Sequence, residues 1–158
     1  MPLLLQIKML TDLLMSILWS LSPFGEAKVG IPYGISKGLN IYLVFICCFL
    51  ANVLVFPIMT FFLAYINRYF VKWRFYKKAA IYVAKRAKAG SGANIRKYGF
   101  FGLVLFVMVP LPGTGVYAGS IAAFLFGMRL RTAFFANALG IFFSSLIVWA
   151  VTVSIKAS

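Results

Sequence analysis

Asp12 and Glu26 are the two carboxylate side chains of this 158-residue chain, so they form its one possible carboxylate pair. The chain has no histidine, which excludes a Ser-His-Asp triad and a histidine-based metal site. Cys47 and Cys48 are neighbours in an apolar stretch, where an ordinary disulfide cannot join them. No nucleophile–base pair can be assembled from the remaining residues, so we expect neither an enzyme nor a cofactor or metal site.

Glu26 is the more informative acid because it directly follows an apolar segment that ends at Ser22-Pro23-Phe24-Gly25. A carboxylate at membrane depth indicates function, because an ionisable side chain is costly to place there. Such a group suits a proton-coupled carrier, in which it gains and releases a proton. The alternative is a salt bridge with Lys28 or a place among the lipid headgroups. Asp12 follows Lys8 by four residues, so pairing along a helix is its simpler interpretation.

The composition places these residues in a membrane protein. Hydrophobic residues make up 63% of the chain, the mean hydropathy is +0.98, and only 11% of the residues are charged. A soluble domain has about twice that share of charge. The net charge of +14 is therefore read as the cytoplasmic charge of a membrane protein, and nucleic acid is not an expected partner.

The distribution of charge along the chain defines the membrane segments. No charged residue occurs in 39–67 or in 132–155, and about 20 apolar residues cross a bilayer core. We therefore predict spanning helices over 39–67 and 130–155. Residues 3–38 and 98–128 are also apolar, but prolines and glycines interrupt them. Broken helices at membrane depth line cavities or lie buried in protein, so both regions are predicted to be re-entrant hairpins.

The basic residues predict the orientation. Ten of the sixteen lie in 68–97, and a hairpin over 98–128 returns Arg129 and Arg131 to the same face. The positive-inside rule then places the linker 68–97 in the cytoplasm and both termini outside. Tyr69, Trp73 and Tyr76 follow one another at helical spacing, which predicts a basic amphipathic helix on the membrane surface. A solvated basic loop is the alternative.

Each predicted spanning helix follows a hairpin, and the two units match at an offset of 85 residues. The identical pairs include Gly30 with Gly115 and Asn52 with Asn137. A unit with one net crossing must invert its second copy, as in many secondary transporters. The predicted fold class is an all-α integral membrane protein of two inverted repeats, 1–67 and 98–158, joined by the amphipathic linker helix.

The breaks and their neighbours supply the remaining candidate residues. Lys28 and the backbone of Pro110-Leu111-Pro112-Gly113-Thr114-Gly115 are a candidate anion site, although any hairpin needs such a break. Asn52 and Asn137 are expected to hydrogen-bond unwound backbone or to join helices. Arg129 and Arg131 set the topology or meet an acidic headgroup.

Two stretches resemble those of the small multidrug export protein family. Glu26-Ala27-Lys28-Val29-Gly30-Ile31-Pro32-Tyr33-Gly34-Ile35-Ser36-Lys37-Gly38 resembles its E-x-R-x-x-I-P-x-G-I-x-x-G segment, with lysine at 28 in place of arginine. Residues 98–115, which end in Pro-Leu-Pro-Gly-Thr-Gly, resemble its second segment. The family is distantly similar to the DedA/VTT membrane proteins, some of which move polyprenyl-phosphate lipids. The resemblance implies Glu26, Lys28, Pro32 and the 110–115 break as substrate or coupling residues.

The first functional hypothesis is a secondary transporter or flippase in the cytoplasmic membrane of a prokaryote, proton-coupled through Glu26. Its expected partners are membrane lipids and an anionic amphiphilic substrate, such as a polyprenyl phosphate. The second hypothesis is a non-transporting scaffold or lipid-organising protein that acts through the basic linker. The sequence leaves the oligomeric state open, with a homodimer among the options.

Overall fold

The computed structural model describes residues 2–70, 99–110 and 115–157. These residues form six helices and no strand. The helices are α1 (Pro2–Leu21), α2 (Glu26–Ser36), α3 (Ile41–Phe70), α4 (Gly99–Met108), α5 (Val116–Leu125) and α6 (Leu130–Ala157). The predicted amphipathic linker helix falls almost entirely outside the described residues, but α3 continues through its first three positions. No glycine or proline ends the helix at Arg68, and the rings of Tyr65 and Tyr69 lie 4.7 Å apart along it.

Three helices are long and apolar enough to cross a membrane: Leu3–Leu21, Ile41–Ile66 and Leu130–Ala157. The second and third lie where spanning helices were predicted. The first belongs to a region that was predicted to be a hairpin, although its own length and composition suffice for a crossing. By contrast, α2 has 11 residues and α5 has 10, which gives them lengths of about 15 Å, half of a bilayer core.

The two longest helices, α3 and α6, pack against each other in opposite directions. Tyr42 pairs with Trp149, Phe49 with Phe142 and Phe56 with Phe134, at ring-centroid distances of 6.1, 5.8 and 5.7 Å. We call the end of the bundle with Lys37 and Lys156 the lysine end. The opposite end, with Arg68, Arg129 and Arg131, is the arginine end. Each long helix thus joins the two ends.

We call the two half-length helices, α2 and α5, the return helices. The first of them, α2, packs closely on α1 through two glycines. A Cβ added to Gly30 would overlap Ser20 Oγ and the Ser16 carbonyl, and one added to Gly34 would overlap Val44. Ser16 Oγ donates a hydrogen bond of 2.5 Å to the Gly30 carbonyl. The small residues at 30 and 34 therefore serve close helix approach, as their four-residue spacing predicts.

The second return helix, α5, packs on α3, α4 and α6. A Cβ on Gly119 would overlap Asn137 and Val107, and one on Gly140 would meet the backbone and side chains of α4. Val107 and Val116 are fully buried in the apolar cluster formed there. Glycine therefore allows α4, α5 and α6 to approach at the backbone.

Both return helices end in the same hydrogen-bonded cap. Gly38 (φ +79°) follows α2 and Gly127 (φ +63°) follows α5, each in the left-handed region that glycine adopts freely. The next residue donates to a carbonyl five positions back, from Leu39 to Gly34 and from Met128 to Ala123. These caps are Schellman motifs, which stop a helix and turn the chain. A Cβ at Gly38 or Gly127 would touch nothing, so these two glycines end helices and do not serve close packing.

Candidate functional site

Glu26 and Lys28 form a buried ion pair at the start of α2. Lys28 Nζ lies 3.2 Å from Glu26 Oε2, and the two side chains are 13% and 5% exposed. The helix α2 extends for 11 residues from Glu26 to the lysine end, so the pair lies about 16 Å along the bundle from that end. A charge pair at such depth is neutral as a unit but costly to desolvate. The salt bridge with Lys28, which was the alternative interpretation of Glu26 in the sequence, is therefore present in the structure.

The backbone of Glu26 explains how residues two apart can pair. Side chains at i and i+2 point away from each other on a regular helix. Glu26, however, has a φ of +52°, in the left-handed region that non-glycine residues rarely adopt. That conformation costs on the order of 1–3 kcal/mol and is typically found at functional sites. The Glu26 carboxylate therefore does not take the position that a side chain of a regular α2 helix would have.

The Glu26 carboxylate lies directly against Gly115, the residue that precedes α5. A Cβ built on Gly115 would overlap both carboxylate oxygens and the Cδ of Glu26. The first N–H groups of α5 have no partner within that helix, and the positive end of its dipole favours a nearby anion. The starts of α2 and α5 therefore meet at one carboxylate.

Tyr117 makes a second connection between the two halves of the chain. Its hydroxyl on α5 donates a hydrogen bond to the Leu21 carbonyl, at the end of α1. Together with the Glu26 contact, this bond fixes the turn after α1 against the first turn of α5. Sequence reasoning missed Tyr117, because a tyrosine in an apolar segment carries no signal that distinguishes it from a packing residue.

Asn52 and Asn137 are buried in the long helices. Asn137 Nδ2 donates to the Ala133 carbonyl of its own helix at 3.0 Å, and its Oδ1 lies against Gly119. In the part of the chain that the structure describes, Oδ1 of both asparagines lacks a hydrogen-bond partner. The Nδ2 group of Asn137 bonds its own helix because the i−4 carbonyl is within reach, and the contact with Gly119 places Asn137 between α5 and α6.

The proline-rich break is described only at its edges. Pro110 and Gly115 lie at the ends of α4 and α5, whereas Pro112, Gly113 and Thr114 lie outside the described residues. Pro32 is within α2 and, with Pro110, lines a groove beside α6. Of the predicted anion site, the structure describes Lys28, Pro110 and Gly115, and Glu26 lies against both Lys28 and Gly115.

Arg131 lines a groove of about 720 Å³ at the arginine end. Its walls come from the second half of α3 and the first turns of α6, including Phe56, Pro57, Thr60 and Phe134. Arg129 and Arg131 are both exposed where α6 begins. This position is compatible with either of the roles expected for the two arginines.

Among residues 2–70, 99–110 and 115–157, no group of three or more histidine, cysteine or acidic side chains could hold a metal ion. Two buried serines of α1 differ in their partners. Ser16 Oγ lies 3.2 Å from Cys48 Sγ and so connects α1 with α3, whereas Ser20 Oγ donates to the Ser16 carbonyl within α1 at 3.0 Å. The sequence did not predict a role for these serines, because serine is common in both loops and helices.

The described geometry defines a helical membrane protein in which two half-length helices begin at a buried carboxylate. The chain belongs to a family described as "Putative small multi-drug export protein", whose model matches residues 26–147. The match includes α2 to α5 and most of α6, and it begins at Glu26. A search of curated proteins and a search of solved structures found no match. The family description is that of a transporter rather than an enzyme.

Proposed function

We propose that the protein is a secondary transporter or flippase of the prokaryotic cytoplasmic membrane. Its substrate is an anionic lipid or a related amphiphile, and Glu26 couples transport to protons. The observation that carries the proposal is the buried Glu26–Lys28 pair against Gly115, at the start of two half-length helices. In inverted-repeat transporters, substrate and ion sites lie at this depth between broken helices.

An inverted repeat is part of the proposal, and the helix ends support a definite register for it. Gly38 and Gly127, the left-handed cap residues, lie 89 residues apart, as do Leu39 and Met128. The same offset relates Glu26 to Gly115. Corresponding residues of two inverted units meet where they lie on the pseudo-two-fold axis, and the Glu26–Gly115 contact fits that expectation.

In this mechanism, protonation of Glu26 releases Lys28. An anionic headgroup then replaces the carboxylate as the partner of the lysine, near the free N–H groups of α5. Loss of the proton restores the ion pair and expels the anion. Transport follows if the groove at the arginine end and the groove at the lysine end are open to the site in turn.

The test is transport by the purified protein in proteoliposomes with an imposed proton gradient, with a fluorescent polyprenyl phosphate as the substrate. Glu26→Gln should abolish the response to the gradient, because the amide neither pairs with Lys28 as an anion nor exchanges a proton. Asp12→Asn, which removes the other acid of the chain, is the matched control and should transport normally.

Equal gradient-driven transport by wild type and Glu26→Gln would refute the coupling role. Wild type that moves none of a panel of anionic lipids would instead favour the scaffold hypothesis. In that case, neutralising the lysines of the linker 68–97 should impair the function of the protein in cells more than Glu26→Gln does.

A further inference from the structure

A groove of about 690 Å³ lies between α2 and the second half of α6, near the lysine end. Pro32, Ile35 and Ser36 line it on one side, and aliphatic residues of α6 between Ile147 and Ile155 on the other. Pro110 lies at its inner part and Lys156 at its outer part. The volume is within the range of small-molecule sites. The groove thus extends from the surface of the bundle towards the proline-rich break.

The walls of the groove are apolar in their chemistry. Its two hydroxyl groups already donate to their own helices, Ser36 Oγ to the Tyr33 carbonyl at 2.7 Å and Thr152 Oγ1 to the Val148 carbonyl at 2.7 Å. The remaining walls are proline and aliphatic side chains. A ligand of this groove therefore needs a hydrocarbon part, because the walls offer a polar solute few hydrogen bonds.

Lys156 gives the mouth of the groove a positive charge. Its Nζ donates a hydrogen bond of 2.9 Å to the Ile35 carbonyl, in the last turn of α2. An ammonium group has three N–H donors, so this bond uses one of them. Within the described residues, the carboxylate–ammonium pair is Glu26 with Lys28, and Lys156 has no acidic partner. Lys37, beside the Tyr33 ring, adds a second cation at the same end of α2.

We propose that this groove binds an anionic amphiphile with a single hydrocarbon chain. The phosphate-like head lies on Lys156 at the lysine end, and the chain follows the aliphatic face of α6 towards Pro110. The use of the groove to receive or release substrate rests on the proposed transport function, whereas binding alone does not. The charge of Lys156 and the apolar walls are complementary to this class of ligand.

Binding of dodecyl phosphate to the full chain in phosphatidylcholine nanodiscs, measured by isothermal titration calorimetry, tests the proposal. Lys156→Gln should weaken binding roughly tenfold, because it removes a charge-assisted hydrogen bond. Lys8→Gln, on the exposed first half of α1, is the matched control and should bind as wild type does. Val151→Trp should also weaken binding by filling the groove, and Val151 is exposed enough to accept the larger ring.

Two further ligands separate the contribution of the phosphate headgroup from that of the hydrocarbon chain. Dodecyl maltoside lacks the charge and inorganic phosphate lacks the chain, so each should bind at least about tenfold more weakly than dodecyl phosphate. Binding of dodecyl maltoside or of inorganic phosphate as tight as that of dodecyl phosphate, or an unchanged affinity in both Lys156→Gln and Val151→Trp, would overturn the proposal. Glu26 does not line this groove, so Lys156→Gln should weaken binding in the Glu26→Gln background as well, and failure of the groove and failure of proton coupling are separately visible.

Discussion

At the residue scale, the position of Glu26 depends on the absence of a side chain at 115. The carboxylate occupies the space that a Cβ of Gly115 would need, and the left-handed backbone of Glu26 directs it there. Lys28 then balances the charge at 3.2 Å. Glu26, Lys28 and Gly115 together therefore determine the position of the carboxylate. A change at any of the three should affect the contacts of the other two.

Gly115→Ala tests this dependence. The added methyl group should displace the carboxylate, separate it from Lys28 and lower the free energy of unfolding by about 1–3 kcal/mol, as overpacking does. Thermal unfolding in detergent, followed by tryptophan fluorescence, measures the loss. In the background of Glu26→Gly, which removes the clash and the strained φ, the same alanine should cost much less. Additive costs in the double variant would contradict the contact.

The sequence predicted the identity of these residues better than their contacts. Glu26 was found because a carboxylate beside a helix break is rare in an apolar chain, and Lys28 because it lies within two residues of it. Tyr117 and Ser16 were missed because their roles depend on which helix faces them. A hydroxyl group in an apolar segment has the same appearance in the sequence whether it bonds its own helix or another.

At the scale of the elements, the glycine caps fix where the return helices end. The breaks at Pro23 and Pro110 and the two longest helices were predictable from proline, glycine and charge. The register of the proposed repeat was not predictable, because the helix caps correspond at an offset of 89 residues and the sequence identities at 85. Small residues recur every fourth position in both return helices. An alignment of the two halves that is shifted by four residues therefore again pairs glycine with glycine.

Gly38→Ala should destabilise the protein through its backbone alone. Nothing lies within 4 Å of a Cβ at Gly38, so the expected cost is the roughly 1–2 kcal/mol of a left-handed alanine. Gly102→Ala is the matched control, since Gly102 is also free of neighbours but lies inside α4. It should be neutral or stabilising, because alanine favours a helix. Equal midpoints of thermal unfolding for the two variants would argue against the cap.

At the scale of the whole molecule, the charges divide between two ends. Arg68, Arg129 and Arg131 lie at one end of the antiparallel pair α3 and α6, and Lys37 and Lys156 at the other. The proposed topology places the arginine end in the cytoplasm. This division could be predicted from the sequence, because the lengths of the helices and the positions of the charges are read directly along the chain. The packing of the short helices between the long ones could not be predicted, because it depends on contacts between residues far apart in the sequence.

Labelling of single cysteines in intact cells with a membrane-impermeant maleimide tests the topology. Lys37→Cys should react from outside, whereas Arg131→Cys should react only after permeabilisation. The two native cysteines need not be replaced, because Cys48 is buried and Cys47 is half-buried within α3. The unsubstituted protein is the control and should remain unlabelled in intact cells. Reaction of both variants from outside would exclude the proposed orientation.

The capped corners at Gly38 and Gly127 also determine how the bundle can deform. Three residues, 37–39, lead from the last turn of α2 to Asn40, whose Oδ1 accepts from the Tyr42 N–H that opens α3. Arg129 opens α6 after an equally short turn. A corner this short and this fully hydrogen-bonded couples the direction of each return helix to that of the long helix that follows it. The two corner units, α2 with α3 and α5 with α6, pack along their lengths and also meet where Glu26 lies against Gly115, so a tilt of one unit against the other would displace the ion pair.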